Sequence, residues 1–178
     1  MTASTSQVVT PNFLRYLLPV PARLALPIGS IAPDFALWDA THDRIVRLAN
    51  WRGKQPVVLA FTRIFAEEVY CPFCFPHIVA MNEAYDQLRN AGAEVWMITS
   101  TNRRQSRGVV DDLQLRLPLL CDPAGTTFRA YHTGQALGAP LPAQFGLDAQ
   151  GRVRFCHLFS FLHHNASPQQ LLQVLSQL

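Results

Sequence analysis

Two stretches of the chain are apolar almost throughout, PVVLAFT at 56–62 and AEVWMITS at 93–100. Runs of that length and composition predict strands buried on both faces of a sheet. Between them Ile78, Met81, Tyr85 and Leu88 recur at helical spacing, and Gly92 stands where a helix C-terminal cap belongs. A strand, a helix and a strand in that order predict a parallel pair joined by a right-handed crossover. PDFAL at 33–37 and RIVRLA at 44–49 alternate as half-buried strands do, and WRGKQ at 51–55 has the residues of a turn. A second helix is predicted over 103–115, around Val109, Val110 and Leu113. PLLCD at 118–122 reads as a short strand or loop and TTFRAYH at 126–132 as a brief helix. AQFGLD at 143–148 and RVRFCHLF at 152–159 flank a turn and predict a β-hairpin. The final helix is capped by Ser167, has Pro168 in its first turn, and lines one face with Leu171, Leu172, Val174, Leu175 and Leu178. A βαβ half followed by an antiparallel ββα half is an α/β fold with a central mixed β-sheet flanked by helices.

Composition narrows the choice of function. The chain has 178 residues, 49% of them hydrophobic and 15% charged, enough for one domain with a sizeable core. The proline-rich start predicts an N-terminal arm over 1–27 and a domain over 28–178. Its apolar segment is interrupted by Arg15, Pro19, Pro21 and Arg23, which makes a poor signal peptide, so a cytoplasmic location is expected. The arm packs on the domain or serves as a docking or membrane-surface segment. Net charge is +3, and the densest basic cluster, NRRQSR at 102–107, reads as a solvated loop rather than a nucleic-acid footprint. No stretch approaches the roughly 20 apolar residues of a membrane span.

The chemistry concentrates in FTRIFAEEVYCPFCFPH at 61–77. Cys71 and Cys74 lie between the end of a buried strand and the start of a helix. That is where open α/β sheets build their sites. Helix-terminal N–H groups there favour a thiolate. Two intervening residues let the sulfurs meet, so the pair can cycle between dithiol and disulfide, and Pro72 stiffens the turn. Pro76 is awkward deep in a first helical turn, which predicts that CPFC forms the turn and the helix begins near Pro76. Zinc would need two more ligands. His77 is one candidate, but Cys121 and Cys156 are isolated in apolar strands and read as buried structural thiols, Cys121 also as a distant resolving cysteine. Arg63 either turns toward the cysteines or points to solvent. Glu67 and Glu68 are proton acceptors or a solvated loop tip, and their charge would raise a thiol pKa. His163 and His164 read as loop residues.

Several segments then carry a family resemblance. Residues 29–62 follow the pattern G-x-x-A-P-D-F-x-L, then L-x-x-x-x-G-K, then an apolar strand. AYDQLRNAGAEVWMITS, LPLLCDPAGTTFRAYH and PAQFGLDAQGRVRF follow in order. Over roughly 28–178 the chain resembles peroxiredoxins of the alkyl hydroperoxide reductase/thiol-specific antioxidant group, in a branch with CxxC in place of Thr-x-x-Cys. The resemblance implies a thioredoxin-like fold. It puts Cys74 on the peroxidatic position and Cys71 on the threonine, whereas a thioredoxin-type CxxC makes Cys71 the attacker, so the order of attack stays open. Two departures stand out. FTR replaces the family's FxP, and Pro142 stands near the place of a peroxide-binding arginine. A proline there resembles the cis-proline that faces the CxxC in thioredoxins, so a cis Pro142 is expected, with Arg63 as the replacement cation.

The resemblance implies a peroxiredoxin-like thiol oxidoreductase that reduces peroxide through a Cys71/Cys74 cycle, supported by Pro72, Arg63, Pro142 and His77. An external dithiol, such as a thioredoxin or glutathione system, would reduce the disulfide. No metal, haem or nucleotide is called for, and dimers are common in that family. The alternatives are a thioredoxin-like enzyme acting on protein disulfides and a non-catalytic redox sensor or partner-binding module.

Overall fold

A computed structural model describes residues 14–66, 69–160 and 162–178. Its centre is a seven-stranded mixed sheet. The strands are β1 (Ala36–Asp39), β2 (Arg44–Arg47), β3 (Val57–Phe61), β6 (Glu94–Thr99), β7 (Leu119–Cys121), β10 (Ala143–Leu147) and β11 (Val153–Leu158), in the spatial order β11-β10-β3-β6-β7-β1-β2. The two apolar runs form the middle: β3 and β6 pair in parallel with Val57 opposite Glu94, and every residue of both is buried. β7 joins β6 in parallel, while β10 pairs antiparallel with β3 and with β11. The predicted parallel pair and hairpin are thus both present.

Alternation along β3 divides the core. Val58 and Ala60 face one side, with Val95, Met97, Ile78, Met81, Leu88, Val109 and Leu171. Helices α1 (Phe75–Glu83), α2 (Tyr85–Asn90), α3 (Arg103–Leu113) and α5 (Pro168–Leu175) supply the last five or border them. Val57, Leu59 and Phe61 face the other side, with Trp96, Phe145 and, from α4 (Thr126–Ala130) and its end, Phe128 and Tyr131. There the Phe61 ring lies 5.0 Å from Phe128 and 5.1 Å from Tyr131, centroid to centroid. Aromatic pairs at such spacing add about 0.5–1.5 kcal/mol each beyond their buried area.

Three local features differ from, or go beyond, what the sequence predicts. The helix after the cysteines is two helices, interrupted at Ala84 (φ −83°, ψ 0°). Its apolar stripe continues across the break, so the spacing alone does not reveal it. The segment before the cysteines is a small antiparallel hairpin outside the main sheet, β4 (Ile64–Ala66) with β5 (Val69–Tyr70). A second hairpin, β8 (Gln135–Ala136) with β9 (Ala139–Pro140), lies in the Gly- and Pro-rich stretch. Of the arm, residues 1–13 lie outside the described residues. The part from 14 onward runs over this second hairpin, where Val20 and Gln135 exchange backbone hydrogen bonds of 2.8 Å. No helix among the described residues is long and apolar enough to cross a membrane.

Candidate active site

The C-terminal end of β3 leads directly into the site. Thr62 still bonds to the sheet through its N–H to the Ile98 carbonyl (2.8 Å), Arg63 follows, and the β4–β5 hairpin returns the chain to Cys71. Residues 71–74 make one turn: the Cys71 carbonyl accepts from the N–H groups of Cys74 and Phe75, both at 2.9 Å. Cys74 is the N-cap of α1, and Pro76 falls in its first turn, where a missing N–H costs no intrahelical bond. The helix therefore begins where the proline allows, with CPFC before it as the sequence predicts. Pro72 is exposed in this turn, between two buried cysteines.

Both cysteines are free thiols, Cys71 4% exposed and Cys74 fully buried. Their electrostatics separate them. The Cys74 thiol hydrogen-bonds to Cys71, the N–H groups of Phe73 and Cys74 point at the same sulfur, and the Arg63 guanidinium adds its charge. Together these outweigh burial and bring the Cys71 thiol down to about 5. Cys74 moves the other way, because it donates to Cys71, is desolvated and faces the Cys71 charge. The surroundings of the pair thus favour the charge on Cys71 and the proton on Cys74.

Arg63 resolves the choice left by the sequence: it is buried, and its charge interacts with both sulfurs. Its Nη2 donates to the carbonyls of Ala136 and Leu137 (3.0 Å for the latter), and its guanidinium carbon lies 4.9 Å from the centre of the Phe65 ring. The Nε donor is buried with no hydrogen-bond partner. No motif could have foretold this anchor, since its acceptors are backbone carbonyls in a hairpin 73 and 74 residues away.

The other predicted residues fall differently. Pro142 is buried and directly precedes Ala143, the partner of Phe61, so it lies beside the end of β3. Its peptide bond is trans, as are all those described, which corrects the cis expectation. The neighbouring strand pairing holds Ala143 in regular register without a cis bond. His77 is buried; its Nε2 donates to the Ala166 carbonyl at 3.0 Å, and Nδ1 has no partner. Burial pushes its pKa down to about 4, with the nearby His157 adding to the effect. Its ring ties α1 to the loop before α5. Glu67 and Glu68 lie outside the described residues. Burial raises the thiol pKa of Cys121, and pushes Cys156 up to about 11, so neither is activated. Among the described residues no three His, Cys, Asp or Glu side chains are grouped to hold a metal ion.

One feature escaped the sequence. Phe73, between the cysteines, stacks on His164 at 4.4 Å and 19°, and its carbonyl accepts from Asn165 Nδ2 at 3.1 Å. The histidines that read as plain loop residues therefore include one that supports the active turn.

A buried parallel strand that leads to a CxxC turn with one acidified cysteine, and a buried guanidinium interacting with both sulfurs, is the arrangement of a thioredoxin-fold thiol oxidoreductase. The chain belongs to the AhpC/TSA family, whose model matches residues 28–156. It is 30% identical to the thiol-disulfide oxidoreductase ResA of Geobacillus kaustophilus (strain HTA426), over 74% of this chain and 70% of that one. It is 29% identical to the chloroplastic peroxiredoxin Q of Oryza sativa subsp. japonica, over 78% and 69%. In fold it is similar to peroxidoxin BcpB from Mycobacterium tuberculosis, with a TM-score of 0.69 at 21% identity, covering 86% of this chain and 98% of that one. It is a peroxiredoxin-like thiol oxidoreductase.

Proposed function

We propose that Cys71 is the first nucleophile and that a peroxide is its substrate. The observation that carries the order of attack is the divided protonation of the pair, with Cys71 at about 5 and Cys74 raised. At neutral pH the Cys71 thiolate attacks one peroxide oxygen. The O–O bond breaks, that oxygen becomes the Cys71 sulfenic acid, and the other leaves as water or an alcohol after taking up a proton. The Cys74 thiol then attacks the Cys71 sulfur, forming the disulfide and releasing water. An external dithiol of thioredoxin type reduces the disulfide and restores both thiols. The unpartnered Arg63 Nε favours peroxide, because a buried donor beside the thiolate suits the oxygen on which charge develops. Arg63 stands in for the cationic group that the sequence lacks near Pro142.

A second reading, disulfide exchange, is favoured by the ResA relationship and by the same acidic first cysteine. There Cys71 attacks a substrate S–S bond, and Cys74 resolves the mixed disulfide. Single-turnover experiments on two variants separate the possibilities. In Cys74→Ser treated with hydrogen peroxide, a sulfenic acid should accumulate at Cys71 and be trapped there by dimedone. Cys71→Ser should consume no peroxide. Peroxide consumption retained in Cys71→Ser would place the first attack on Cys74. A Cys74→Ser protein inert to peroxide, yet forming a mixed disulfide with an oxidised protein substrate, would favour exchange.

A further inference from the structure

Away from the cysteines, the arm crosses α4 and the β8–β9 hairpin. A cavity of about 320 Å³ opens there, within the size range of small-ligand sites. The arm is seated on two glycines. A Cβ on Gly134 would meet the Ala22 nitrogen at 2.5 Å and the Val20 oxygen at 2.6 Å. A Cβ on Gly125 would lie 2.0 Å from the Tyr16 hydroxyl oxygen and 3.2 Å from Arg129 Nη1. Tyr16 and Arg129 therefore converge over the bare Gly125 backbone.

The Tyr16 hydroxyl is the unusual group. Tyr16 is only 2% exposed and lines the cavity; the Arg129 guanidinium interacts with its buried oxygen, but the hydroxyl proton has no acceptor. An unsatisfied buried hydroxyl is costly, and a ligand acceptor would remove that cost. Arg129 uses Nη1 on the Ala124 carbonyl at 2.9 Å. Arg23 and His132 complete the polar side, and no lining residue carries a carboxylate. The nearby Asp122 has its oxygens engaged by Thr126, Thr127 and Phe128. Val20, Pro21, Phe128 and Pro140 make the remainder apolar.

We propose that this cavity binds a small amphipathic monocarboxylate, with its head on the Tyr16 hydroxyl and the Arg129 guanidinium and its tail against Phe128, Val20 and the prolines. Arginine recognises a carboxylate with paired, charge-assisted hydrogen bonds. The apolar walls select a hydrocarbon tail over an inorganic anion. The cavity shares its hairpin with the active site: Gln135 and Pro140 line it, while the carbonyls of Ala136 in β8 and Leu137 in the turn hold Arg63.

Titration calorimetry of the full chain with octanoate tests the proposal, with acetate and octanol as probes that lack the tail and the head. Octanoate should bind saturably at one site, and both controls should bind at least roughly tenfold more weakly. Arg129→Gln, at an exposed position, should weaken octanoate by a similar factor, and Tyr16→Phe should do so while keeping the ring in place. If Tyr16→Phe loosens the arm and lowers the melting temperature, Arg129→Gln alone decides. No saturable octanoate binding, equal binding of octanol, or octanoate affinity unchanged in Arg129→Gln would overturn it. None of these outcomes depends on which cysteine attacks first.

Discussion

At the scale of single residues, the site rests on where one proton sits. Cys71 loses it because a thiol, two backbone N–H groups and a buried guanidinium all stabilise its charge. The Arg63 contribution can be isolated. Arg63→Gln keeps a donor but removes the charge, so the midpoint of Cys71 alkylation should rise, and Arg63→Lys should raise it less; pH-dependent alkylation followed by mass spectrometry measures both. His77 makes a separate prediction for stability. Its imidazole titrates near 4 in the folded protein and near 6.5 when unperturbed. Between those values the unfolded chain takes up a proton that the folded protein refuses, so stability falls as pH falls through that window. The full difference is about 3 kcal/mol. Urea unfolding at pH 7.5 and at pH 4.5 should reveal it, and His77→Gln should flatten that part of the pH dependence; an equal slope in the variant would refute the assignment.

At the scale of elements, the strands nearest the site were the most legible. β3 and β6 are buried on both faces, and a run that is apolar through its middle meets that demand. The C-terminal helix was equally plain, because its cap is local chemistry: Ser167 accepts from the Gln170 N–H at 3.2 Å, and Gln170 Oε1 accepts from the Ser167 N–H at 2.8 Å. Ser167→Ala should therefore lower stability by about 1 kcal/mol, read from a denaturant midpoint, with the Cys71 chemistry unchanged. The β4–β5 hairpin was not legible. It has two short strands and none of the Asn-Gly or Asp-Gly signals that mark a turn. Arg63 was legible only as a choice, since its direction is fixed by carbonyls contributed from β8 and the turn after it. The cis expectation for Pro142 came from likeness to another branch of the fold, and the trans bond shows that proline position and isomer are separate properties.

At the scale of the molecule, the sheet order explains why one end of β3 carries the chemistry. β3 is flanked by β10 and β6, and its C-terminal end delivers Thr62 and Arg63 to the CxxC turn. From there a connected path runs outward, from Cys71 through Arg63 to the β8–β9 hairpin, and on to the arm through Gln135 and Val20. The AhpC/TSA match spans the CxxC turn, and under the proposed function the unequal surroundings of the two cysteines set the order of attack. The most direct measurement is a limited alkylation of the reduced protein with iodoacetamide at pH 6, with each cysteine quantified by peptide mass spectrometry. Cys71 should be modified rapidly while Cys74 stays unmodified; modification of Cys74 before Cys71 would overturn the assignment of Cys71 as the first nucleophile.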